Sequence, residues 1–254
     1  MPGTLRVRSL EIGLNRPKVI TPIVGMSYDR IMEQAGVMRD MDVDMVEWRS
    51  DFYEDIGDAA ETLRVMHGLR RLLGEIPILF TFRTKKEGGE REISTDYYTE
   101  LNTAVAQSGE ADFIDVEIFS GDEVVARLIR TAHDAKVLVV GSNHDFSATP
   151  PREELVKRLR KMQDMGADIL KIAVMPKCKQ DVLTLLAATN EMYEQYADRP
   201  LITMSMSSMG LLSRLSGEMF GSAMTFGAAG GTSAPGQIPV RDLEQVLDIV
   251  HKYL

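Results

Sequence analysis

The chain has 254 residues, and its 29 lysine and arginine residues against 38 acidic residues give a formal net charge of −9. Its 44% hydrophobic and 26% charged residues are typical of a soluble globular protein. This composition excludes disorder, collagen and a coiled coil as descriptions of the whole chain. The acidic balance argues against nucleic acid as a partner, because nucleic-acid-binding proteins of this size usually carry a basic surface.

The cysteine content and the hydropathy pattern bear on the compartment. The single cysteine, Cys178, cannot form an internal disulfide, which suits a reducing compartment. No segment approaches the length of about 18 apolar residues that a membrane-spanning helix needs. No apolar stretch follows the charged N-terminus, as it would in a signal peptide. We therefore expect a cytoplasmic protein with no membrane partner.

Short runs rich in apolar and β-branched residues predict β-strands, and amphipathic stretches lie between them. The predicted strands are residues 18–24, 45–49, 78–83, 113–118, 137–143, 169–174, 201–206 and 222–226. Most of these runs are continuously apolar, as in parallel strands that are covered on both faces. Apolar residues spaced three or four apart predict helices over residues 58–73, 154–165, 179–196 and 241–254.

These strand–helix units, eight in all, predict an α/β protein with a closed (β/α)8 TIM barrel, because open doubly wound sheets usually hold five or six strands. Period-two alternation in residues 5–13 predicts a β-hairpin, within an N-terminal segment of residues 1–16, that closes the barrel floor. No linker-like stretch divides residues 1–254, so we expect one domain. The eighth unit is the least regular, and a glycine-rich loop, residues 227–239, follows its strand.

Active sites of (β/α)8 barrels lie at the C-terminal ends of the strands, so polar residues at those ends are candidates for chemistry. Lys171 is the most informative, because it interrupts the apolar run Ile-Leu-Lys-Ile-Ala-Val. Such a lysine forms a structural ion pair, reaches solvent along its stem, or serves as a neutral amine that attacks a ketone. Arg49, Arg83 and Arg214 at neighbouring strand ends predict a cationic mouth, which would favour the neutral amine.

His144 ends the strand before that of Lys171, so the two side chains should be neighbours. A histidine there is either a hydrogen-bonded loop residue or, beside a neutral lysine, a proton shuttle. Glu87, on the loop after the third predicted strand, either orients that imidazole or is a solvated charge beside two lysines. The three arginines, together with Glu47, predict a small, polyhydroxylated, anionic ligand.

With these residues assembled, the chain resembles the type I 3-dehydroquinate dehydratase family over almost its whole length. The resemblance is carried by short motifs at the predicted strand ends. They are Glu47-Trp48-Arg49, Thr81-Phe82-Arg83 with Glu87, Ser142 to Phe146, Lys171-Ile172-Ala173, Met206 to Gly210 with Arg214, and Ser233 to Gln237. Each motif is short, and it is their order and their barrel positions together that are specific to the family.

The resemblance implies a cofactor-free lyase of the shikimate pathway that converts 3-dehydroquinate to 3-dehydroshikimate and water. Lys171 would form an imine (Schiff base) with the ring ketone, His144 would act as general acid and base, and Glu87 would hold the histidine. The implied substrate-binding residues are Glu47, Arg49, Arg83, Met206, Arg214, Ser233 and Gln237. Arg214 and Gln237 would bind the carboxylate, and residues 227–239 would form a lid. A homodimer is implied as well.

Two other functions stay open. A class I aldolase-type enzyme also forms a lysine imine, but it usually binds phosphate after the seventh and eighth strands. In this chain Pro235 removes an amide donor there, so a lid fits that segment better. A barrel that binds a sugar acid without converting it would keep the arginines and would have no use for Lys171 beside His144.

Two further expectations concern metals and the end of the first predicted strand. No two histidines have the spacing of metal ligands, so we expect no metal. Some members of the family carry a serine near the substrate where this chain has Pro22, which leaves the neighbouring Thr21 as a candidate contact.

Overall fold

The structure is a computed structural model that describes residues 2–229 and 233–254. The first residue of the predicted hairpin segment and residues 230–232 of the predicted lid loop lie outside the described residues. Within the described ranges, no helix combines the length and the apolar composition that crossing a lipid bilayer requires.

A hairpin of two antiparallel strands, β1 (Leu5–Val7) and β2 (Leu10–Ile12), precedes parallel strands that curl into a barrel, as predicted. The barrel strands are β3 (Lys18–Ile23), β4 (Met45–Arg49), β5 (Ile78–Thr81), β6 (Phe113–Glu117), β7 (Leu138–Asp145), β8 (Ile169–Val174), β9 (Leu201–Ser205) and β10 (Met224–Ala228). Neighbours pair in chain order from β3 to β9, and β10 pairs with β3. A parallel bridge between Leu201 and Ser222 closes the ring.

Helices follow the barrel strands and cover their outer face. They are α1 (Tyr28–Met41), α2 (Ala59–Leu73), α3 (Thr95–Gln107), α4 (Asp122–Asp134), α5 (Arg152–Asp164), α6 (Lys179–Glu191), the short α7 (Leu211–Leu215) and α8 (Gly217–Phe220), and α9 (Val240–Lys252). The prediction of a single α-helix over residues 179–196 is wrong at its end. After α6 the chain forms a π-helical turn, in which Ala197 N donates to Met192 O at 2.7 Å.

Side chains alternate along each strand between two cores, and this alternation decides which polar residues enter the barrel. Trp48 faces outwards and packs in the larger core between the strands and the helices. Met45 and Phe113 face inwards and fill the N-terminal half of the barrel. Two residues further along the same strands, Glu47 and Asp115 face the same way, so the interior becomes polar towards the C-terminal ends.

The hairpin lies against the N-terminal ends of the barrel strands, as predicted. Ile12 is 0% exposed and packs with the inward-facing residues of the inner core. Arg8 Nε donates to Asp112 Oδ1 at 2.6 Å directly before β6, and Gly3 N donates to Asp198 O at 2.8 Å before β9. The hairpin therefore closes the barrel floor and leaves the C-terminal end as the mouth.

The last strand–helix unit differs in detail from its prediction. The eighth strand begins at Met224 rather than at residue 222, because the two preceding residues are used to close the ring: Ala223 N donates to Leu201 O at 2.8 Å. A two-residue strand, β11 (Ile238–Pro239), pairs in parallel with the end of β10, and α9 begins directly after it. These contacts return the chain from the glycine-rich loop to the barrel wall.

Candidate active site

A pocket opens at the C-terminal ends of the barrel strands. Most of the predicted site residues line it, namely Glu47, Arg49, Arg83, Glu87, His144, Lys171, Met206, Ser233 and Gln237. Gly88, Phe146, Ala173, Met204, Phe226 and Ala234 complete the lining. The remaining predicted residue, Arg214, lies behind the pocket wall rather than on it.

Lys171 lies on β8 with its side chain inside the barrel, where it is 3% exposed. Its Nζ donates a hydrogen bond to Asp115 Oδ2 at 3.3 Å and lies 3.5 Å from Glu47 Oε1. The ring of Phe226 covers the amine, with 4.6 Å between Nζ and the ring centroid. The nearest charged groups are therefore carboxylates. Arg49 and Arg83 line the same pocket, so the mouth does hold cations, but the charged groups next to the amine are acidic because Glu47 on β4 and Asp115 on β6 face inwards.

His144 and Glu87 form a hydrogen-bonded pair near Lys171. The register of β7 and β8 places Ser142 opposite Lys171 and His144 opposite Ala173. His144 Nδ1 is 3.0 Å from Glu87 Oε2, and the same oxygen accepts the backbone N–H of His144 at 2.9 Å. None of the residues that the structure describes hydrogen-bonds to Nε2, so this nitrogen is available to a ligand in the pocket.

Burial sets the protonation state of this pair. Burial is the largest cause that lowers the pKa of His144 well below its ordinary value, and the charge of Arg83 adds to it. Burial and the nearby charge of Glu117 raise the pKa of Glu87 to about 8. When Glu87 is ionised it accepts Nδ1–H, which leaves Nε2 able to take a proton. Because Glu87 is buried, the alternative of a solvated loop charge is excluded.

Two buried acids that the sequence analysis did not select organise the site. Asp115 and Glu117 alternate with apolar residues on β6 and face into the barrel. Arg83 donates to Asp115 Oδ2 at 2.7 Å and to Glu117 Oε1 at 2.9 Å, and Ser142 Oγ donates to Asp115 Oδ1 at 2.6 Å. The signal for them was the segment Phe-Ile-Asp-Val-Glu-Ile, which puts two acids on one face of a predicted buried strand.

Arg49, the last residue of β4, connects two loops of the mouth. Its guanidinium is bidentate on Asp51, at 2.7 and 2.8 Å, and its remaining terminal nitrogen donates to Ser233 O at 3.0 Å. Asp51 also accepts the backbone N–H of Glu90, at 3.1 Å, in the loop that carries Glu87. Bidentate pairs of this kind fix orientation as well as distance, so Arg49 is held rigidly at the pocket.

Arg214 on α7 is fully buried behind Met204 and the glycine-rich loop. One of its terminal nitrogens donates to Pro235 O at 3.1 Å, the other lies 3.7 Å from Met204 Sδ, and Nε has no partner among the described residues. Burial lowers the pKa of Arg214 to about 10, so the guanidinium stays charged at neutral pH. A buried cation that no carboxylate of the described chain neutralises is suited to an anionic ligand.

Residues 233–237 of the glycine-rich loop lie against the turn after β9. Ser233 N donates to Gln237 Oε1 and Gln237 Nε2 donates to Ser233 Oγ, both at 3.0 Å. Ser207 N donates to Pro235 O at 3.2 Å. At Gly236 φ is +80°, and an added Cβ would come 2.3 Å from Ser207 O, so the turn accepts only glycine at this distance.

The alternation of side chains along β3 also determines on which face of the strand Thr21 lies. Ile20 belongs to the inner core and Val19 to the outer one, so Thr21 faces the helices and is absent from the lining of the pocket. The candidate contact at Thr21 is therefore wrong. Pro22 follows at the position that pairs with Glu47. Within the described ranges, no three His, Cys, Asp or Glu side chains are grouped so that they could hold a metal ion.

Fold and site together define a class of protein. It is a (β/α)8-barrel enzyme with a buried amine and a neutral imidazole at the mouth, and with a buried guanidinium behind the pocket wall. Residues 19–253 match the model of the family described as type I 3-dehydroquinase. The chain belongs to this family.

Relatives and solved structures match over nearly the whole chain. The 3-dehydroquinate dehydratase of Clostridioides difficile is 51% identical over 252 residues, which are 99% of each chain. That of Listeria welshimeri is 52% identical over 246 residues, or 97% of each. A crystal structure of the type I enzyme from Clostridium difficile with covalently modified comenic acid has a TM-score of 0.97 at 51% identity, with 100% of both chains covered. The Geobacillus kaustophilus 3-dehydroquinate dehydratase has a TM-score of 0.96 at 40% identity, covering 99% of this chain and 98% of that one.

Proposed function

We propose that this chain dehydrates 3-dehydroquinate to 3-dehydroshikimate, as a cofactor-free carbon–oxygen lyase of the shikimate pathway. The observation that carries the proposal is one pocket that holds Lys171 and His144 with the buried Arg214 beside it, in a chain of the type I 3-dehydroquinase family. The relatives from Clostridioides difficile and Listeria welshimeri bear this activity in their names.

The reaction uses Lys171 as nucleophile and His144 as acid and base. The Lys171 ammonium first gives one proton to His144, and the neutral Nζ attacks the ring ketone. His144 returns that proton to the former ketone oxygen, which leaves as water, and a protonated imine remains. The imine withdraws electrons from the adjacent carbon, so His144 Nε2 removes a proton there and the electron pair moves to nitrogen. The pair returns to expel the ring hydroxyl, which leaves as water with the proton from His144. A second water hydrolyses the imine and frees Lys171.

Two features support these roles. When Glu87 is ionised, its hydrogen bond with His144 Nδ1, at 3.0 Å, holds the proton on Nδ1 and leaves Nε2 as the base. The relative from Clostridium difficile was crystallised with covalently modified comenic acid, which supports covalent chemistry in a pocket of this kind.

The other predicted residues bind the substrate in this proposal. Arg214 and Gln237 take the carboxylate, because Arg214 has no carboxylate partner in the described chain. Met206 packs against the ring, and the ring hydroxyls meet the polar lining at Glu47, Arg49, Arg83 and Ser233. Residues 227–239 act as the lid, whose described part already reaches Arg49 and Arg214 through carbonyl oxygens.

A turnover assay tests the proposed function. The purified chain is mixed with 3-dehydroquinate, and formation of the conjugated enone of 3-dehydroshikimate is followed by its ultraviolet absorbance. The expected result is enzyme-dependent product, with no cleavage of phosphorylated aldoses. Cleavage of an aldose phosphate with no dehydration would instead support the aldolase-type alternative, and binding of the substrate without product would support the sugar-acid-binding barrel.

The assembly and the compartment belong to the same proposal. We propose a homodimer, and a set of exposed apolar side chains on α6, α7, α8 and the turn before α7 supports it: Leu183, Met209, Leu211, Leu212 and Met219. A second copy of the chain would remove this surface from water. The acidic net charge and the single, exposed Cys178 fit a cytoplasmic enzyme whose partner is a small molecule rather than nucleic acid.

A further inference from the structure

Asp115 is a buried acid that touches the reacting nitrogen without lining the pocket. It is fully buried on β6, and its Oδ2 accepts a hydrogen bond from Lys171 Nζ at 3.3 Å. Arg83 and Ser142 fix the carboxylate from the side, at 2.7 Å to Oδ2 and 2.6 Å to Oδ1. Oδ2 thus contacts the amine, Oδ1 is held by Ser142, and Asp115 does not line the pocket that would hold a substrate.

The stoichiometry of imine formation shows why a carboxylate beside the nitrogen matters. An ammonium ion and a ketone together contain the atoms and the charge of one protonated imine and one water. The protonated imine therefore carries a positive charge on its nitrogen and keeps a single N–H. An imine that lost this proton in a dry pocket would withdraw electrons poorly, so the N–H needs an acceptor that holds it in place.

Two carboxylates lie near Lys171 Nζ, and their surroundings separate their roles. Glu47 is the more distant, at 3.5 Å, and it lines the pocket. Asp115 is nearer, lies off the pocket and is fixed on both oxygens. We infer that Asp115 is the counter-ion of the Lys171 imine, accepting its one N–H and keeping it protonated while His144 removes the carbon-bound proton.

The charges around this pair are consistent with a permanent anion at Asp115. The groups that face the pair are Glu47 and Arg49 from β4, Arg83 and Glu87 after β5, Glu117 from β6 and His144 from β7. Burial alone would raise the pKa of the Asp115 carboxyl, but the charges of Arg83 and Lys171 outweigh burial and lower it. The inference rests on the proposed function, since it assumes an imine at Lys171.

Trapping with cyanoborohydride tests the inference, because this reagent reduces protonated imines much faster than neutral ones. The parent and Asp115→Asn are incubated with 3-dehydroquinate and cyanoborohydride from neutral to alkaline pH, and the adduct is weighed. Loss of an adjacent charge is worth about one pH unit or more. We therefore expect the variant's trapping rate to fall at least about tenfold relative to the parent at alkaline pH and much less at neutral pH. A variant with the parent's pH dependence would overturn the inference.

Asp51→Asn is the matched control, because Asp51 is also fully buried and paired with an arginine but does not contact Lys171. It should leave the pH dependence of trapping unshifted, and the same shift in both variants would contradict the inference. If Asp115→Asn does not fold, the C=N stretch of the parent's adduct is compared in H2O and D2O. A protonated imine shifts in D2O, and an unshifted band at alkaline pH would contradict the inference. A parent that forms no adduct would instead contradict the proposed function.

Discussion

Among the described residues, the buried ions of this barrel are paired with opposite charges, and Arg214 is the exception. Lys171, Arg83 and Asp115 form a chain of contacts at 3.3 and 2.7 Å, and a buried charge whose partner is removed is costly. Arg214 is as deeply buried, but within the described residues it donates only to the carbonyl oxygen of Pro235 and approaches the sulfur of Met204. A buried cation without an anionic partner lowers the stability of the protein, and binding of a ligand anion offsets this cost. We assign that role to the substrate carboxylate.

Replacing Arg214 by Ala tests this assignment at the residue scale. A charge-assisted hydrogen bond contributes about 1.5–3 kcal/mol, so we expect KM for 3-dehydroquinate to rise by about 10–100-fold. Arg16→Ala is the control, because Arg16 forms its ion pairs near the barrel floor, with Asp44 and Asp248. Equal KM values for the parent and Arg214→Ala would return Arg214 to a purely structural role.

The protonation of Glu87 predicts a pH dependence of catalysis. Below its pKa of about 8 the protonated Glu87 carboxyl donates to Nδ1 of His144, which puts the imidazole proton on Nε2 and blocks the base. We therefore expect kcat to rise as pH increases through that pKa. Glu87→Gln cannot titrate, so this limb of the kcat profile should disappear. Glu92→Gln, a change at an exposed acid of the same loop, should keep it. Persistence of the limb in Glu87→Gln would refute the assignment.

Two loops, rather than strands, position Glu87 and residues 233–237 at the site. The loop after β5 carries Glu87 and is tied to Asp51, while residues 233–237 are tied to Arg49 and Arg214 through backbone carbonyls. Two arginines predicted to bind substrate, Arg49 and Arg214, therefore also hold residues 233–237, part of the proposed lid. This double use follows from geometry, because a guanidinium has donors on several sides and can contact a loop and a ligand at once.

Gly236→Ala tests whether residues 233–237, part of the proposed lid, must lie against the turn after β9. A left-handed backbone costs a non-glycine residue about 1–3 kcal/mol, and the new Cβ would also meet Ser207 O. Residues 233–237 should move away from Ser207 while the barrel stays folded. We therefore expect KM to rise several-fold with little change in the melting temperature. Gly57→Ala is the control, because a Cβ at that position meets nothing within 4 Å. If the two variants had the same KM, residues 233–237 would not cover the substrate.

At the scale of the molecule, apolar patterning was sufficient to predict the barrel. Parallel strands buried on both faces are continuously apolar, so each run was visible, and exceptions such as Lys171 marked the mouth. The partners of these exceptions could not be predicted, because the contact of Lys171 with Asp115 joins residues 56 positions apart and depends on register. The predicted contact at Thr21 is wrong for a related reason. A shift of one residue along a strand moves a side chain from the face that lines the pocket to the face that packs against the helices.

The proposed homodimer predicts the effect of a surface charge. Leu212 on α7 is 54% exposed within the apolar surface described above, so Leu212→Asp would place a charge inside the proposed interface. We expect the mass measured by light scattering to fall from that of a dimer to that of one chain. Val37→Asp, on the exposed face of α1, should leave the mass unchanged. A dimer that survives Leu212→Asp would place the interface elsewhere.

The covalent role of Lys171 can be measured directly by peptide mass after borohydride reduction with 3-dehydroquinate. The account predicts one reduced adduct per chain, on the peptide that contains Lys171, in the parent and in Lys161→Met, whose changed lysine is paired with Asp122 on the surface. Lys171→Met should carry no adduct and show no turnover. An adduct on another lysine, or full turnover in Lys171→Met, would contradict the account.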